Sequence, residues 1–503
     1  MSDRTSQVEV DLVIAGGAVM TMDERDTVLR DGGLAVRDGR IVDVATSETI
    51  RARYRARTVI DGSGRLTMPG LVDTYSHAGH GLVKAVFHGA HGWPPNAVNF
   101  HGSDEAWWAA EAALSACERI RFGVTTGVTT LGATPARADH PRYAMAHAHA
   151  VRDAGIRGMV GVGPPDVFAK HIPEPYTVTD FLPDGTTRER TYTYADTLAT
   201  SAEVVEACRA AFHRDEMAAF FAVPYVFGRH PQRADRRWDP VYTDADIPML
   251  IEKAHEARSF ADRHGVIVHT HMFVGTVAFA VERMGRELVD DVLGPDVVIA
   301  HANALTADEI EVIAATDAKV SAAPSTGENF WYGRCPIPEM LAAGVDVAIS
   351  TDGNAPRFSM DLFKEVYRAL FLNWSAFGHQ RIFPVGKALR MVTIDAARVI
   401  GMDDRIGSLE PGKYADIIQI DLERPHLVPD AHLPNLVAFY VNGNDVVTTI
   451  VGGNVVMRDG AITTVDQGAV IREARRQAEL AFGRVDVSKY LETNRAFWRE
   501  HEY

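Results

Sequence analysis

The sequence predicts an α/β protein in which a (β/α)8 barrel, that is a TIM barrel, carries a small β-sandwich domain formed from both chain ends. Short apolar strands alternate with helical patterns through the middle of the chain, and β-rich segments with glycine turns lie at both ends. Polar side chains directly follow several of the central strands. Parallel strands buried on both faces are expected to read as apolar runs separated by helices.

The two chain ends share a β-rich pattern. DLVIAGGAVMTM and GGLAVRDGRIVDVA, near the N-terminus, combine β-branched residues with Gly and Asp-Gly turns, which is typical of hairpins. RIGSLEPGKYADIIQIDL and VAFYVNGNDVVTTIVGG repeat this pattern near the C-terminus. Because chain ends often lie close together in a folded domain, residues 1–68 and 405–465 are predicted to form one composite sandwich.

Residues 69–404 are predicted to form the barrel, and residues 466–503 a helical tail. The candidate barrel strands are Leu71–His77, Val124–Leu131, Ile156–Val162, Ala218–Val226, Val266–Phe273, Val297–Asn303, Lys319–Pro324 and Val345–Thr351. Amphipathic patterns such as DEAWWAAEAALSACERIRF and TADEIEVIAAT predict helices between them. The long irregular stretch 164–244 is predicted to hold an insertion over the barrel mouth or at a subunit contact.

The composition is that of an ordinary globular protein and argues against a nucleic-acid or membrane partner. The 503 residues are 46% apolar, which is enough for a full core. A formal net charge of −16 argues against nucleic acid or an anionic membrane as partner. The N-terminus does not resemble a signal peptide, and no apolar run reaches the length of a membrane span. Cys117, Cys208 and Cys335 form no closely spaced pair, which favours a reducing cytoplasm.

Histidines and one aspartate stand where the predicted strands end. His77 closes the first strand, His269 and His271 the fifth, His301 the sixth and Asp352 the eighth. Function in such a barrel lies at the carboxyl ends of the strands. His269 and His271 are two residues apart and therefore point to the same side of their strand. Imidazoles and a carboxylate meeting at one rim suit a divalent ion, with Zn²⁺ favoured over Fe, Mn or Co.

The alternative is that these histidines are ordinary rim or core residues. The chain contains 20 histidines, so some fall at strand ends by chance. We assign this ordinary role to a further set of histidines: His80, His88, His91, His147 and His149. Four independent strand ends agree for His77, His271, His301 and Asp352, which favours the metal site.

At these residues the chain resembles the amidohydrolase superfamily, in particular its cytosine-deaminase and chlorohydrolase-like branch. The resemblance covers nearly the whole chain and rests on DLVIAGGAV, MPGLVDT, GVTT, VHTH, AHAN, LTADEI and STDG. It ends with DAARVIGMDDRIGSLEPGKYADIIQID, the return to the sandwich that is typical of the family. It implies the barrel with a split sandwich and a metal-dependent hydrolase.

The resemblance also implies a ligand set and a reaction. The ligands are His77, His271, His301 and Asp352, around one divalent ion. No lysine lies on the fourth strand, which disfavours a dinuclear centre. A bound metal would lower the pKa of a water molecule towards neutrality. Asp352 then acts as general base and returns the proton to the leaving nitrogen, while His301 stabilises the oxyanion. His269 is expected to orient a ligand or contact the substrate.

Tyr75 departs from the family pattern, because it stands where the first histidine of a His-x-His pair is expected. A neutral phenol is a poor zinc ligand unless the metal lowers its pKa. Relatives that hydrolyse phenylureas and thiocarbamates resemble this chain in lacking that histidine. Three hypotheses stay open: a shell completed by His301 or His269, a hydrogen bond from Tyr75 to the substrate carbonyl or to water, and simple filling of the lost imidazole's volume.

Val274 is the second departure. Ring deaminases of this branch carry a glutamate three residues after the strand-five histidine, where it moves a proton to a ring nitrogen. Valine cannot do so, which favours cleavage of a non-peptide C–N bond in an amide, urea or carbamate-like molecule. The alternatives are a deaminase of a nitrogen heterocycle and a catalytically inactive scaffold of the same fold.

Aromatic loops after the first and seventh strands supply candidate substrate contacts. The residues are Phe87, Trp93, Phe100, Phe330, Trp331 and Tyr332. They are expected either to line an apolar pocket or to pack a lid or a subunit contact. The predicted partner is a small-molecule substrate, and the resemblance suggests a homo-oligomer.

Overall fold

The computed structural model describes residues 7–84, 86, 98–131, 137–165, 174–182, 184–228, 242–329, 333–353, 359–491 and 498–499. Its centre is an eight-stranded sheet whose pairs are all parallel. We number the strands β1 (Leu71–Asp73), β2 (Val124–Thr130), β3 (Arg157–Val162), β4 (Met217–Val223), β5 (Val268–Phe273), β6 (Val297–Asn303), β7 (Lys319–Ala322) and β8 (Val347–Ile349). They pair in chain order, as a barrel requires.

Hydrogen bonds from side chains and backbone join the segment after β8 to the first strand and the residues that follow it. Thr351 donates to the Asp73 carboxylate from its backbone N–H at 3.0 Å and from its hydroxyl at 2.7 Å. The Asp352 N–H donates to the Tyr75 carbonyl at 3.1 Å. Arg119 Nη2 lies 3.1 Å from the Asp73 carboxylate, and both side chains are buried. These contacts bring the end of β1 next to the end of β8, which places Tyr75 beside Asp352.

Helices lie between the barrel strands, as the sequence predicts, and others follow β8. They are Glu105–Arg121, Pro141–Ala154, Tyr194–Ala211, Ile247–His264, Thr276–Met284, Arg286–Val292, Ala307–Thr316, Pro324–Asn329, Ile337–Ala342, Leu362–Phe377, Val385–Arg390 and Ile394–Val399. Their starts follow from capping chemistry. Thr306 and Glu309 form a reciprocal capping box, and the Asp104 carboxylate accepts from the Trp107 N–H at 2.9 Å.

Both chain ends contribute to a second, nine-stranded sheet. Its strands are Val8–Met20, Val28–Arg37, Arg40–Thr46, Tyr54–Asp61, Arg65–Pro69, Ile417–Asp421, Val446–Val451, Asn454–Arg458 and Ala461–Ile462. Arg65–Pro69 pairs antiparallel with Ile417–Asp421, which joins the two ends. Leu12 and Ile14 share a core with Ile417 and Ile450. The predicted β domain from both chain ends is therefore confirmed.

The largest difference between a predicted and an observed strand end is at the end of β1. The prediction carried this strand to His77, whereas regular pairing ends at Asp73 and resumes as a single bridge between His77 and Thr130. The insertion between β3 and β4 contains the hairpin Tyr176–Phe181 with Thr187–Tyr192. Towards the C-terminus, Leu433–Phe439 and Gln467–Arg484 are helical. No helix in the described part of the chain is long and apolar enough to cross a membrane.

Candidate metal centre at the barrel rim

The carboxyl ends of four barrel strands bring together a buried polar cluster. His77, His271, His301 and Asp352 are 5%, 7%, 4% and 6% exposed. The ring centroids of His271 and His301 are 5.0 Å apart. His77 Nε2 lies 3.2 Å from Asp352 Oδ1. The predicted ligand set therefore forms one cluster of three imidazoles and a carboxylate.

The backbone of this rim adopts conformations that non-glycine residues rarely take. His301 and Ala302 have φ of 73° and 50°, and Asp352 has φ of 58°. The pairing of β5 with β6 is interrupted at the same level, where Met272 faces His301 but Phe273 faces Asn303. Left-handed backbone costs free energy and is found where a site aims its side chains.

Tyr75 lies at the centre of the cluster. Its hydroxyl oxygen is 2.6 Å from His77 Nε2 and 2.5 Å from His271 Nε2. Burial, with the Asp352 charge nearby, raises the pKa of Tyr75 well above 10. The phenol therefore keeps its proton at neutral pH. With one proton, it donates to one histidine and accepts from the other.

The tautomer of His271 follows from its second contact. Its Nδ1 lies 2.8 Å from the Pro224 carbonyl, which can only accept, so Nδ1 carries the proton. Nε2 then presents a lone pair to the centre of the cluster. Burial lowers the pKa of His271 well below 6.5 and that of His301 to about 4. Both rings are therefore neutral at pH 7, which is the form that binds metal.

Asp352 stays ionised although it is buried. Burial alone would raise the pKa of this carboxyl, but the hydrogen bond and positive charge of His77 hold the pKa well below its usual range. Its Oδ1 accepts from the Gly353 N–H at 2.7 Å. Its Oδ2 accepts from the Thr326 hydroxyl at 2.5 Å. The result is an anion with a defined orientation beside the three imidazoles.

The donor chemistry of the cluster fits a divalent transition metal. Imidazoles together with a carboxylate are a set that zinc prefers. The Nδ1 atoms of His77 and His301 have no hydrogen-bond partner within the described residues. Among the described residues, no group of three or more His, Cys, Asp or Glu side chains is arranged, as it stands, to hold a metal ion. The Tyr75 oxygen lies between two of the imidazole nitrogens, so an ion there requires this oxygen to move aside or to bind.

His269 does not join the cluster. It lies deeper in the barrel, with its ring stacked under Tyr75 at 6.0 Å and against Phe220 at 4.7 Å. Burial lowers its pKa to about 3. The sequence left open whether His301 or His269 completes the set of metal ligands. The structure brings His301 next to His271 and leaves His269 outside the cluster.

Several buried residues around the cluster were given no part in the site by the sequence analysis, which assigned His80 an ordinary role and did not name the others. Thr326 contacts Asp352, and Glu365 holds the segment that carries Thr326. His80 stacks on His77 with the ring centroids 4.9 Å apart. Glu111 accepts from the Gly81 N–H at 3.0 Å behind that ring. The proximity of His80 to His77 in the sequence was the one available signal, whereas a lone threonine or glutamate gives none.

Other predicted contacts do not belong to this cluster. Trp93, Phe330 and Trp331 lie outside the described residues, as do Phe87 and Tyr332. Phe100 is buried with Tyr176, Val178 and Tyr192, against the hairpin inserted after β3. Val274 follows β5 directly, and its N–H donates to the Asn303 carbonyl at 3.0 Å. Val274, which stands where ring deaminases of this branch carry a glutamate, therefore lies at the carboxyl rim of the barrel.

A parallel barrel with imidazoles and a carboxylate at its carboxyl rim is the architecture of hydrolases that activate water. Residues 66–456 match the amidohydrolase family, and the chain belongs to this family. This confirms the predicted family. It also confirms the predicted class of enzyme, a hydrolase acting on C–N bonds other than peptide bonds.

Two relatives match almost end to end. The 5'-deoxyadenosine deaminase of Methanosarcina mazei is 27% identical over 482 residues, which cover 95% of this chain and 99% of the relative. The 5-methylthioadenosine/S-adenosylhomocysteine deaminase of Symbiobacterium thermophilum is 30% identical over 489 residues, covering 93% and 98%.

Solved structures share the fold. An adenosine deaminase from Xanthomonas campestris with bound zinc superposes with a TM-score of 0.77 at 22% identity, over 95% of this chain and all of that one. The atrazine chlorohydrolase TrzN from Arthrobacter aurescens TC1, complexed with zinc, gives 0.72 at 18% identity, over 93% of this chain. The prediction of one divalent metal, with zinc favoured, agrees with the zinc in both structures.

Proposed function

We propose that the protein is a metal-dependent deaminase that hydrolyses an exocyclic amino group from a nitrogen heterocycle, with a purine nucleoside or a related small molecule as substrate. The observation that carries the proposal is the convergence of His77, His271, His301 and Asp352 from four strand ends. Support for the substrate class comes from the two deaminases that match nearly the full chain. Among the hypotheses from the sequence, we therefore favour the deaminase over cleavage of an amide.

In this proposal His77, His271, His301 and Asp352 hold one divalent ion. A zinc ion at this position would supply Lewis acidity for water activation. Asp352 accepts the proton of the attacking water and delivers it to the departing nitrogen. Its low pKa fits a base that is ionised before the reaction. Ammonia leaves and a carbonyl replaces the amino group, so one water is consumed for each ammonia released.

Tyr75 is assigned a hydrogen bond to the substrate. If His77 and His271 held an ion, the Tyr75 phenol would lose its two present hydrogen-bond partners. A protonated phenol is then a donor at the centre of the site. In this proposal it donates to a ring nitrogen or to a developing oxyanion of the substrate. His269 supports the ring of Tyr75 from below.

Val274 favours a second candidate. Protonation of a ring nitrogen is usually assigned to an acid at this position, and valine has no such group. An amide or urea-like C–N bond requires only an attacking water, a polarised carbonyl and a proton for the leaving amine. Asp352 and Tyr75 are sufficient for these steps.

A substrate panel separates the two candidates. Purified protein is incubated with 5'-deoxyadenosine, 5-methylthioadenosine and adenosine, and in parallel with aryl amides and phenylureas. Ammonia is measured by an enzyme-coupled assay, and the loss of the amino group by ultraviolet absorbance. We expect stoichiometric ammonia from at least one aminopurine. Release of a larger amine from the second group, with no ammonia from the first, would exclude the deaminase.

A further inference from the structure

Asp352 is held from outside the cluster by a short helix that follows β7. In this helix, Pro324–Asn329, Thr326 is 3% exposed and donates its hydroxyl proton to Asp352 Oδ2 at 2.5 Å. The opposite oxygen of Asp352 faces His77. The Thr326 hydroxyl has one proton to donate, and it donates it to Oδ2. The Oδ1 atom of Asp352 therefore stays directed towards the histidine cluster.

Thr326 is itself held in place through its neighbour. The Ser325 N–H donates to Glu365 Oε2 at 2.9 Å, and the Ser325 hydroxyl contacts the other carboxylate oxygen. Glu365 is 2% exposed and belongs to the helix Leu362–Phe377. These two contacts fix the orientation of Ser325. Because Thr326 is the next residue in the chain, they also restrict the position of Thr326.

Arg368 completes the arrangement at the surface. It lies one turn after Glu365 on the same helix, contacts the Ser325 hydroxyl, and pairs with Glu328 at 3.3 Å. Glu328 lies on the short helix that also carries Thr326. The helix Leu362–Phe377 therefore contacts the helix Pro324–Asn329 at Ser325 and at Glu328, on either side of Thr326. The short helix has too few hydrogen bonds to be rigid alone.

We propose that Thr326 is a positioning residue for Asp352, held by Ser325 and Glu365, and that it sets the affinity of the cluster for its divalent ion. Hydrogen bonds to a metal-binding carboxylate orient it before the ion arrives, and removing one typically lowers affinity by about 10–100-fold. Thr326 touches neither an ion nor a substrate in this assignment. The inference rests on the proposed metal site, but not on the identity of the substrate.

The test measures zinc affinity directly, with no substrate present. Wild-type protein, stripped of metal, competes with a chromophoric chelator for Zn²⁺, and the same is done for Thr326→Val and Thr326→Ser. Valine matches the shape of threonine and lacks the hydroxyl. We expect Thr326→Val to bind zinc about 10-fold more weakly or worse. Thr326→Ser keeps a hydroxyl and should bind within a few-fold of wild type.

A matched control shows whether any buried threonine would give the same loss. Thr449 is fully buried in the composite sheet, and its hydroxyl donates to the Ile120 carbonyl at 2.9 Å. Thr449→Val should leave zinc affinity unchanged. Thermal melting of each metal-free variant confirms that it is folded. The visible spectrum of the Co²⁺ form reports the coordination geometry, and we expect it to change in Thr326→Val only.

Ser325→Ala tests whether the contact of Ser325 with Glu365 holds Thr326 in position. Because Ser325 acts through Thr326, the double variant with Thr326→Val should bind zinc no more weakly than Thr326→Val alone. Equal zinc affinity in wild type and Thr326→Val, with an unchanged Co²⁺ spectrum, would overturn this inference and leave the metal site standing. A wild-type protein that takes up no zinc would overturn the metal site and this inference together.

Discussion

Tyr75 occupies a buried position between two imidazole nitrogens, where the family pattern has a further histidine. Its hydroxyl either donates to the substrate or only fills volume, and these roles differ in their energetic consequences. A hydroxyl that binds the transition state contributes to turnover, whereas one that fills space contributes to packing alone. The raised pKa excludes a role as a base at neutral pH.

Tyr75→Phe distinguishes these roles because it removes the hydroxyl and keeps the ring. We expect kcat/KM to fall about 10-fold or more, since one hydrogen bond to the reacting group is lost. Zinc content should stay the same, because phenylalanine takes no ligand away from the proposed set. An unchanged kcat/KM would mean that Tyr75 fills volume only. Steady-state kinetics together with metal analysis decides between the two.

Asp352→Asn tests the proposed general base. Asparagine keeps the size of the side chain and cannot accept the proton, so we expect turnover to fall by about 10²–10⁴-fold. The fold should persist, as judged by circular dichroism. Asp403→Asn, at a partly exposed aspartate paired with Arg398 at 3.4 Å, should keep full activity. Wild-type turnover in Asp352→Asn would remove this residue from the mechanism.

At the level of secondary-structure elements, the helix Leu362–Phe377 carries a buried carboxyl whose titration affects stability. Burial raises the pKa of Glu365 to about 7, against hydrogen bonds from Ser325 and the charge of Arg368, while the Asp352 charge adds to the rise. The folded protein thus keeps this proton up to about pH 7, whereas the unfolded chain releases it near pH 4.5. Between these values, rising pH favours the unfolded state.

Glu365→Gln should therefore remove part of the pH dependence of stability. Relative to this variant, the free energy of unfolding of wild type should fall by up to roughly 3 kcal/mol as pH rises from about 4.5 to 7. Above that range the difference between the two proteins should stay constant. Chemical denaturation of both proteins at pH 5, 6, 7 and 8 measures the difference. Parallel curves for the two proteins would show that Glu365 titrates normally in the fold.

The junction of β1 with β8 depends on a buried ion pair. Arg119 is 1% exposed and forms an ion pair with Asp73. Asp73 is fully buried and also accepts a hydrogen bond from the Thr351 hydroxyl. Arg119→Met should destabilise the fold by about 3–5 kcal/mol, because it leaves an uncompensated buried charge. Arg152→Met removes an exposed pair with Asp153 and should cost about 1 kcal/mol or less. Equal effects of the two substitutions would contradict the proposed role of the pair.

Over the whole molecule, the residues that could be predicted from the sequence are those governed by periodicity. The barrel strands are recognised as apolar runs, and His77, His271, His301 and Asp352 follow because all carboxyl ends of a parallel barrel face the same rim. Thr326 and Glu365 could not be predicted, since their contact depends on how a six-residue helix packs against a later helix. The predicted domain bounds, cytoplasmic location and homo-oligomeric state stay predictions.

The central claim is that one divalent ion binds where the four strand ends meet. An anomalous difference map at the zinc absorption edge, from crystals of protein purified with zinc, tests it most directly. The account predicts one strong peak within bonding distance of His77, His271, His301 and Asp352. A map with no peak among these side chains, or a peak elsewhere in the molecule, would contradict it.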